Sequence, residues 1–390
     1  MKKIIALIMC VLMIMGLAAC DSSTTSEGSA DTKQAEDTKS EDTEVAEKTS
    51  SKDDDGIKFA VSLGWMENAS GQRQKLAFED AFKSNGVTDY SIVDANYDAK
   101  KQSEQIKAII AQKPDALFIT PSDPVGIAEA VKEAAEAGIR VYCSDGFVPG
   151  AEVTSTVAFD NYAGGVFTMT QLADALLAKY PDNDTIEIAM IDLPSNEGWD
   201  ARGHGAKWVL SQEKYSKIQV TKTWSWDSTG AVTPRNAVDS FLAADPDGLL
   251  KGIWAAWDGA VFEGLEATAA TRPEILFTGS DGGRQCFEKM AAYPEQFIMT
   301  VGESVYAMPE QLVGYAMDVI NGDRVPRIVM APGFGITSAM IMDAYDIKDY
   351  VVDGVTVWDM VCDYDLPGYV DKINQALEDN DKESRWVPEI

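Results

Sequence analysis

From Ile57 onward, short apolar runs alternate with stretches of helical periodicity, and that alternation confines the chain to a layered α/β fold. "IKFAVSL" reads as a strand, followed by a helix from about Gln72 to Ser84. "YSIVDAN" is a second strand, with a helix after it through Ile106, Ile109 and Ile110 that Pro114 ends. "DALFIT" is a third, "GIAEAVKEAAEAG" a helix with Ile127, Val131 and Ala134 on one face, and "IRVYCSD" a fourth strand. The pattern then begins again. After a helix near 163–179, "TIEIAMID", "IQVTKTWSW", "LKGIWAAW", "EILFTGSD" and "FIMTVGES" are strands, with helices near 198–211, 233–243, 258–270, 284–292 and 308–320. Such spacing builds βαβ units, and the strands are too many for one comfortable sheet. The expectation is α/β architecture with two doubly wound parallel-sheet lobes.

Two of these strands stop in the same way. "VYCSDGF" and "LFTGSDGG" each run from apolar residues into an aspartate followed by glycine, at Asp145 and Asp281. In an open parallel sheet, ligands bind outside the carboxyl ends of the strands. Two facing lobes would bring both carboxylates to one cleft, whereas a helix-capping role would leave each to its own lobe. Aromatic residues gather at strand ends too. Trp65 follows "FAVSL", Trp226 precedes Asp227 at the end of a strand shared with Trp224, and Trp257 precedes Asp258. Tryptophan seeks a partner for its N–H, so three at strand ends exceed what a core requires. Arg202, early in the helix after "IAMIDLP", and Glu303, closing "FIMTVGE", are further candidates for the same cleft.

Composition narrows the function. With 33 lysines and arginines against 63 acids, the formal net charge is −30, which excludes a nucleic-acid partner because phosphate binding needs clustered cations. The first residues, "MKKIIALIMCVLMIMGLAAC", have the basic, apolar and small-residue regions of an export signal. Their last four, Leu17 to Cys20, resemble the lipobox of bacterial lipoproteins, which implies lipidation at Cys20 and a lipid anchor in the membrane. Residues 21–56 carry 12 acids and 4 lysines with Val45 as the one larger apolar residue, the composition of a disordered acidic tether. Asp53, Asp54 and Asp55 lack the spacing of a calcium loop. No metal site or cofactor is expected. Of the five cysteines, Cys10 would leave with the signal and Cys20 would be lipidated, which leaves Cys143, Cys286 and Cys362 as thiols, and a pairing of Cys286 with Cys362 stays open.

From about 57 to 335 the chain resembles the ribose-binding-protein-like family of periplasmic sugar-binding proteins, the two-lobed type I receptors of ABC importers. The resemblance rests, in order, on "FAVSL", "ALFITPSDP", "VYCSDG", "VAFDNYAGG", "DARGHGA", "AAWDGAVFEGLEA", "ILFTGSDGG" and "TVGES". It implies a type I periplasmic binding protein fold whose lobes are joined by a three-stranded hinge at crossovers near 160, 303 and 331. The implied division is 57–160 with 304–331 for an N-terminal lobe, 161–303 for a C-terminal lobe, and 332–390 for an extension packed on a lobe or the hinge. Asp145 and Asp281 would be the ligand aspartates, Arg202 the ligand arginine, Glu303 the polar residue of the second crossover and Trp226 the stacking aromatic. Trp257 stands where the family has an asparagine contact, Gly146 where ribose binders carry arginine, and "MENASG" where the family has "NNPFF", leaving Trp65 as the aromatic there. These departures bear on ribose itself and leave the class.

The expected function is an extracytoplasmic substrate-binding lipoprotein of an ABC importer, a monomer that delivers a small neutral sugar to a permease and its ATPase. Carboxylates suit vicinal hydroxyls, and indole faces suit the C–H face of a pyranose. Two alternatives stay in view: a cationic or amine ligand held by acids and aromatic rings, and a sensor acting through a separate membrane receptor. An enzyme is not expected. A glycosidase would use Asp145 and Asp281, but these acids sit in a receptor-like repeat rather than on a barrel. For other hydrolases, "GxSxG" is absent and His204, the single histidine, rules out multi-histidine metal sites.

Overall fold

A computed structural model describes residues 56–67, 69–194, 196–226 and 231–388. The export signal, Cys20, the tether up to Asp55, and Asp227 lie outside the described residues. The first part of the fold runs β1 (Lys58–Leu63), α1 (Ala69–Ser84), β2 (Asp89–Asp94), α2 (Ala99–Ile110), β3 (Ala116–Thr120), α3 (Pro124–Glu136), β4 (Arg140–Ser144) and β5 (Ser155–Phe159). The second runs α4 (Asn161–Lys179), β6 (Ile186–Asp192), α5 (Glu197–Leu210), β7 (Ile218–Ser225), α6 (Pro234–Ala243), β8 (Leu250–Ala255), α7 (Asp258–Thr268), β9 (Leu276–Asp281), α8 (Arg284–Ala292) and β10 (Phe297–Glu303). There follow α9 (Ala307–Ile320), β11 (Ile328–Ala331), β12 (Gly333–Thr337), α10 (Ser338–Asp346), β13 (Val351–Val352), β14 (Val355–Thr356), α11 (Val357–Cys362) and α12 (Tyr369–Asp379).

The strands form two six-stranded sheets with matching order, β11-β5-β4-β3-β1-β2 and β12-β10-β9-β8-β6-β7. Pairing is parallel throughout the first sheet. In the second it is parallel except at the edge, where β12 runs antiparallel to β10. The architecture is thus the pair of doubly wound α/β lobes that the alternation anticipates, and it agrees with the type I periplasmic binding protein fold that the resemblance implies. The chain passes between the sheets after β5, after β10, and once more between β11 and β12.

Local chemistry accounts for the element boundaries. Asp98, Asp123, Asp160 and Asn196 each lend a side-chain oxygen to a backbone N–H in the first turn of α2, α3, α4 and α5. Pro124 supplies the preset first residue of α3, and Thr233 with Asn236 forms a capping box on α6. Alternate residues on the first sheet's strands feed opposite cores. Phe59, Val61, Phe118 and Tyr142 pack toward α1 and α9, while Ala60, Leu117, Ile119, Val141 and Cys143 pack toward α2 and α3.

The residues after β12 contribute to the core of the second lobe. Val357, Met360, Cys362, Tyr364, Ile373 and Leu377 are buried with Phe287, Met290 and Ile336. Trp386 is fully buried at 0% exposure, with its ring edge-on to Phe287 at 6.0 Å. Cys143, Cys286 and Cys362 are free thiols, so the open question of a 286–362 disulfide resolves against the pairing. Among the described residues no helix is long and apolar enough to cross a membrane. Trp386→Ala should destabilise the protein by about 3–5 kcal/mol through the cavity it leaves. Urea unfolding checks this, and a midpoint equal to wild type would show that the C-terminal segment is not part of the core.

Candidate functional site

Arg202 is the centre of a polar cluster at the carboxyl ends of the second sheet's strands. It lies in the second turn of α5 and is only 4% exposed. Its placement depends on how closely α4 and α5 approach. A Cβ on Gly165 would fall 1.9 Å from the Arg202 carbonyl oxygen, and one on Gly205 would fall 2.2 Å from that of Tyr162. The guanidinium spends its fork on four partners. Nε donates to Asn161 Oδ1 at 2.7 Å, and Nη1 to the Ala256 carbonyl at 2.8 Å and to Asp281 Oδ1 at 3.0 Å. Nη2 pairs with Glu303. Burial works against the charge of Arg202, but Glu303, Asp281 and Asp145 outweigh it and its pKa is raised.

The two strand-end aspartates share more than a sequence pattern. Both take positive φ, 55° at Asp145 and 132° at Asp281, regions that favour glycine. Such backbone strain gathers where a side chain must be aimed. Asp145 is held by its N–H on the Val157 carbonyl of β5 at 2.9 Å. Asp281 does not cap α8, whose cap residue is Gly283 with no side-chain bond. No helix follows Asp145 before β5, so the capping alternative fails for both. Their charges act on each other across the lobes instead. The Asp145 carboxyl is pushed up to about 6 by burial, with Arg202 opposing and Asp281 adding to the rise. Asp281, although 46% of its side chain is exposed, is also raised by its surroundings, with Arg202 opposing. Glu197, at the start of α5, has its pKa raised by partial desolvation, with the backbone N–H of Phe147 opposing.

Glu303, nearly buried at the end of β10, is raised by burial, which the charge of Arg202 only partly offsets. Asp258 is a fourth acid of the cluster, pushed up to about 7 by burial and then by the charge of Asp281. It accepts the Gly282 N–H at 2.8 Å and the Thr300 hydroxyl at 2.9 Å, and Gly279 leaves it room. Four carboxylates therefore gather near one guanidinium that binds two of them, Asp281 and Glu303, and their protonation belongs to the cluster as a whole. Among the described residues no group of histidines, cysteines and acids is arranged to hold a metal ion.

The aromatic residues divide between the lobes. Trp226 and Trp257 form one cluster with Trp199, whose ring stacks on Trp257 at 4.5 Å and 4° and lies 6.0 Å from Trp226. The Trp226 backbone N–H donates to the Asp192 carbonyl at 2.9 Å, holding the chain there to the end of β6. Trp65 stacks instead on Tyr97, at 5.5 Å and 5°. A cavity of about 220 Å³ opens beside Trp226 and Trp257, lined also by Thr233, Pro234 and Glu263. His204 is exposed and hydrogen-bonds the Asp200 carbonyl on its own helix, away from the acids.

Of the expected residues, Asp145, Arg202, Asp281 and Glu303 come together, and Trp226 and Trp257 form a wall of their own. Asn161, Trp199 and Tyr364 were not anticipated. Trp199 was within reach of sequence reasoning, because it lies three residues before Arg202 and so on the same helix face. Asn161 follows Asp160 in "AFDNYAGG" and carried no separate signal.

Raised carboxyl pKa values make stability pH-dependent. Unfolded carboxyls titrate near 4. Between there and about 6 for Asp145 and 7 for Asp258, the folded chain holds protons that the unfolded chain has released. Stability should therefore fall as pH rises through that window. Urea midpoints at pH 5 and pH 8 should drop for wild type and drop less for Asp258→Asn. Equal drops would remove Asp258 from the titrating cluster.

Comparison with known proteins places the fold. A family model described as a periplasmic binding protein domain matches residues 59–324. The ribose import binding protein of Bacillus subtilis is 26% identical over 275 residues, covering 70% of this chain and 84% of that protein. A periplasmic ribose ABC transporter structure from Conexibacter woesei superposes with a TM-score of 0.65 at 21% identity, covering 75% of this chain and 95% of the other. An ABC transporter periplasmic solute binding protein from Actinobacillus succinogenes, solved with D-allose, gives 0.64 at 20% identity, covering 74% and 100%.

Proposed function

The chain belongs to the periplasmic binding protein domain family, and from that premise we propose that it binds a small neutral sugar between its lobes and delivers it to an ABC importer. The observation that carries the reading is the Arg202 fork, tied to Asp281, Glu303 and Asn161 and faced by Asp145 from the other lobe. Carboxylates and a guanidinium offer acceptors and donors to vicinal hydroxyls, in charge-assisted bonds stronger than neutral ones. Trp226 and Trp257 supply apolar area near the same strand ends. A neutral polyol adds no charge to a site whose acids already outnumber its one guanidinium. An anionic ligand would meet four carboxylates.

Closure follows from the same layout. Asp145 follows β4 of the first lobe, whereas Arg202 on α5, Asp281 and Glu303 belong to the second, so a bound ligand contacts both lobes only when they are together. It favours the closed state by that difference in contact. The closed monomer then docks on the permease, whose ATPase drives transport. The export signal and Cys20 would place the protein outside the cytoplasm on a lipid anchor, with the acidic segment of residues 21–56 as tether. No bond is made or broken, and the acids serve as hydrogen-bond acceptors.

The test is thermal unfolding of the purified protein with pentoses, hexoses, inositols, disaccharides and quaternary amines. A ligand at a hundred times its dissociation constant adds about 2.7 kcal/mol, a rise of several degrees. The expected result is a shift with one neutral sugar that Asp281→Ala abolishes. A response to an amine alone would replace the sugar by a cation.

A further inference from the structure

The segment between α11 and α12 touches the second crossover at both ends. The ring of Tyr364 packs among Phe287, Phe334 and Trp386, with centroids 5.9, 5.3 and 5.7 Å away. Its hydroxyl donates to the carbonyl of Glu303 at 2.6 Å. That is the residue whose carboxylate meets Arg202. Gly302 makes the approach feasible, since a Cβ there would lie 2.5 Å from the Tyr364 hydroxyl oxygen. One residue on, Asp365 accepts the Tyr306 N–H at 2.9 Å. The chain between Glu303 and Tyr306 is thus gripped where it leaves β10 and again where it enters α9.

The same segment reaches the first lobe. Arg73 on α1 pairs with Asp363 and lies 3.7 Å from Asp365. Tyr306 completes the junction, its hydroxyl donating to Asp80 on α1 at 2.9 Å. Because Trp386 and Tyr364 are buried in the second lobe's core, residues 363–365 move with that lobe. A rotation about the crossover must stretch the ties to Arg73.

We infer that Tyr364 and Asp365 are positioning residues: they fix the crossover that carries Glu303 and, through Arg73, the angle between the lobes. The affinity consequence rests on the proposed ligand site, whereas the interlobe consequence rests on the geometry alone.

The purified protein and its Tyr364→Phe and Asp365→Asn variants separate the two. Small-angle scattering without ligand reads the lobe angle, calorimetry with D-ribose and D-allose reads affinity, and urea unfolding reads stability. Both variants should stay folded and change the scattering radius of gyration. Loss of one hydrogen bond at the site should weaken binding of whichever sugar binds wild type by up to about tenfold. A merely structural role would lower the urea midpoint and leave the other two unmoved, which overturns the inference. If wild type binds neither sugar, the ligand reading loses those candidates, and the scattering comparison still decides: an unchanged radius in both variants sinks the inference.

Discussion

One guanidinium holds this cleft together. Arg202 is buried, and removing an ion from water costs several kcal/mol unless geometry and further hydrogen bonds compensate. It meets that requirement by filling its fork with two carboxylates, an amide oxygen and a backbone carbonyl. Each partner comes from a different place: Asn161 opens α4, Ala256 follows β8, Asp281 ends β9 and Glu303 ends β10. The arginine therefore fixes the relative position of three strand ends and two helices. Lysine could not do the same, because a point charge has no planar fork to share among partners in fixed directions.

What makes such a residue possible lies in the packing below it. Gly165 and Gly205 let two helices meet backbone to backbone, so that Arg202 starts low enough to reach under the strand ends. The acids then meet in numbers that one cation cannot neutralise, and burial raises Asp145, Asp258 and Glu303 above the ordinary carboxylate range. A cluster of this kind relieves its own repulsion by holding protons up toward neutral pH. The strained φ angles of Asp145 and Asp281 are a cost met by the rest of the fold, and they aim both side chains at the interlobe space.

Much of this is legible in the sequence, for identifiable reasons. The strand–helix alternation is a local signal, so the two parallel sheets follow from it. Asp145 and Asp281 are legible because each interrupts an apolar run at a strand's carboxyl end, where topology puts ligands. Trp199 is half legible, through its helical spacing from Arg202. Tyr364 is not, since its bond to Glu303 spans 61 residues and arises from an extension whose path no periodicity dictates. The antiparallel edge strand β12 escapes for a similar reason: "GFGIT" is short, and only the register with β10 gives it a place.

The central proposal is that Arg202 organises a sugar site, with Trp226 and Trp257 supplying apolar area near the same strand ends. Intrinsic tryptophan fluorescence tests it directly, by titrating neutral monosaccharides into wild type and into Arg202→Lys. The expected result is a saturable spectral change in wild type with one sugar, lost in the variant although the charge is kept. A change that persists in Arg202→Lys, or one produced only by a quaternary amine, would contradict it.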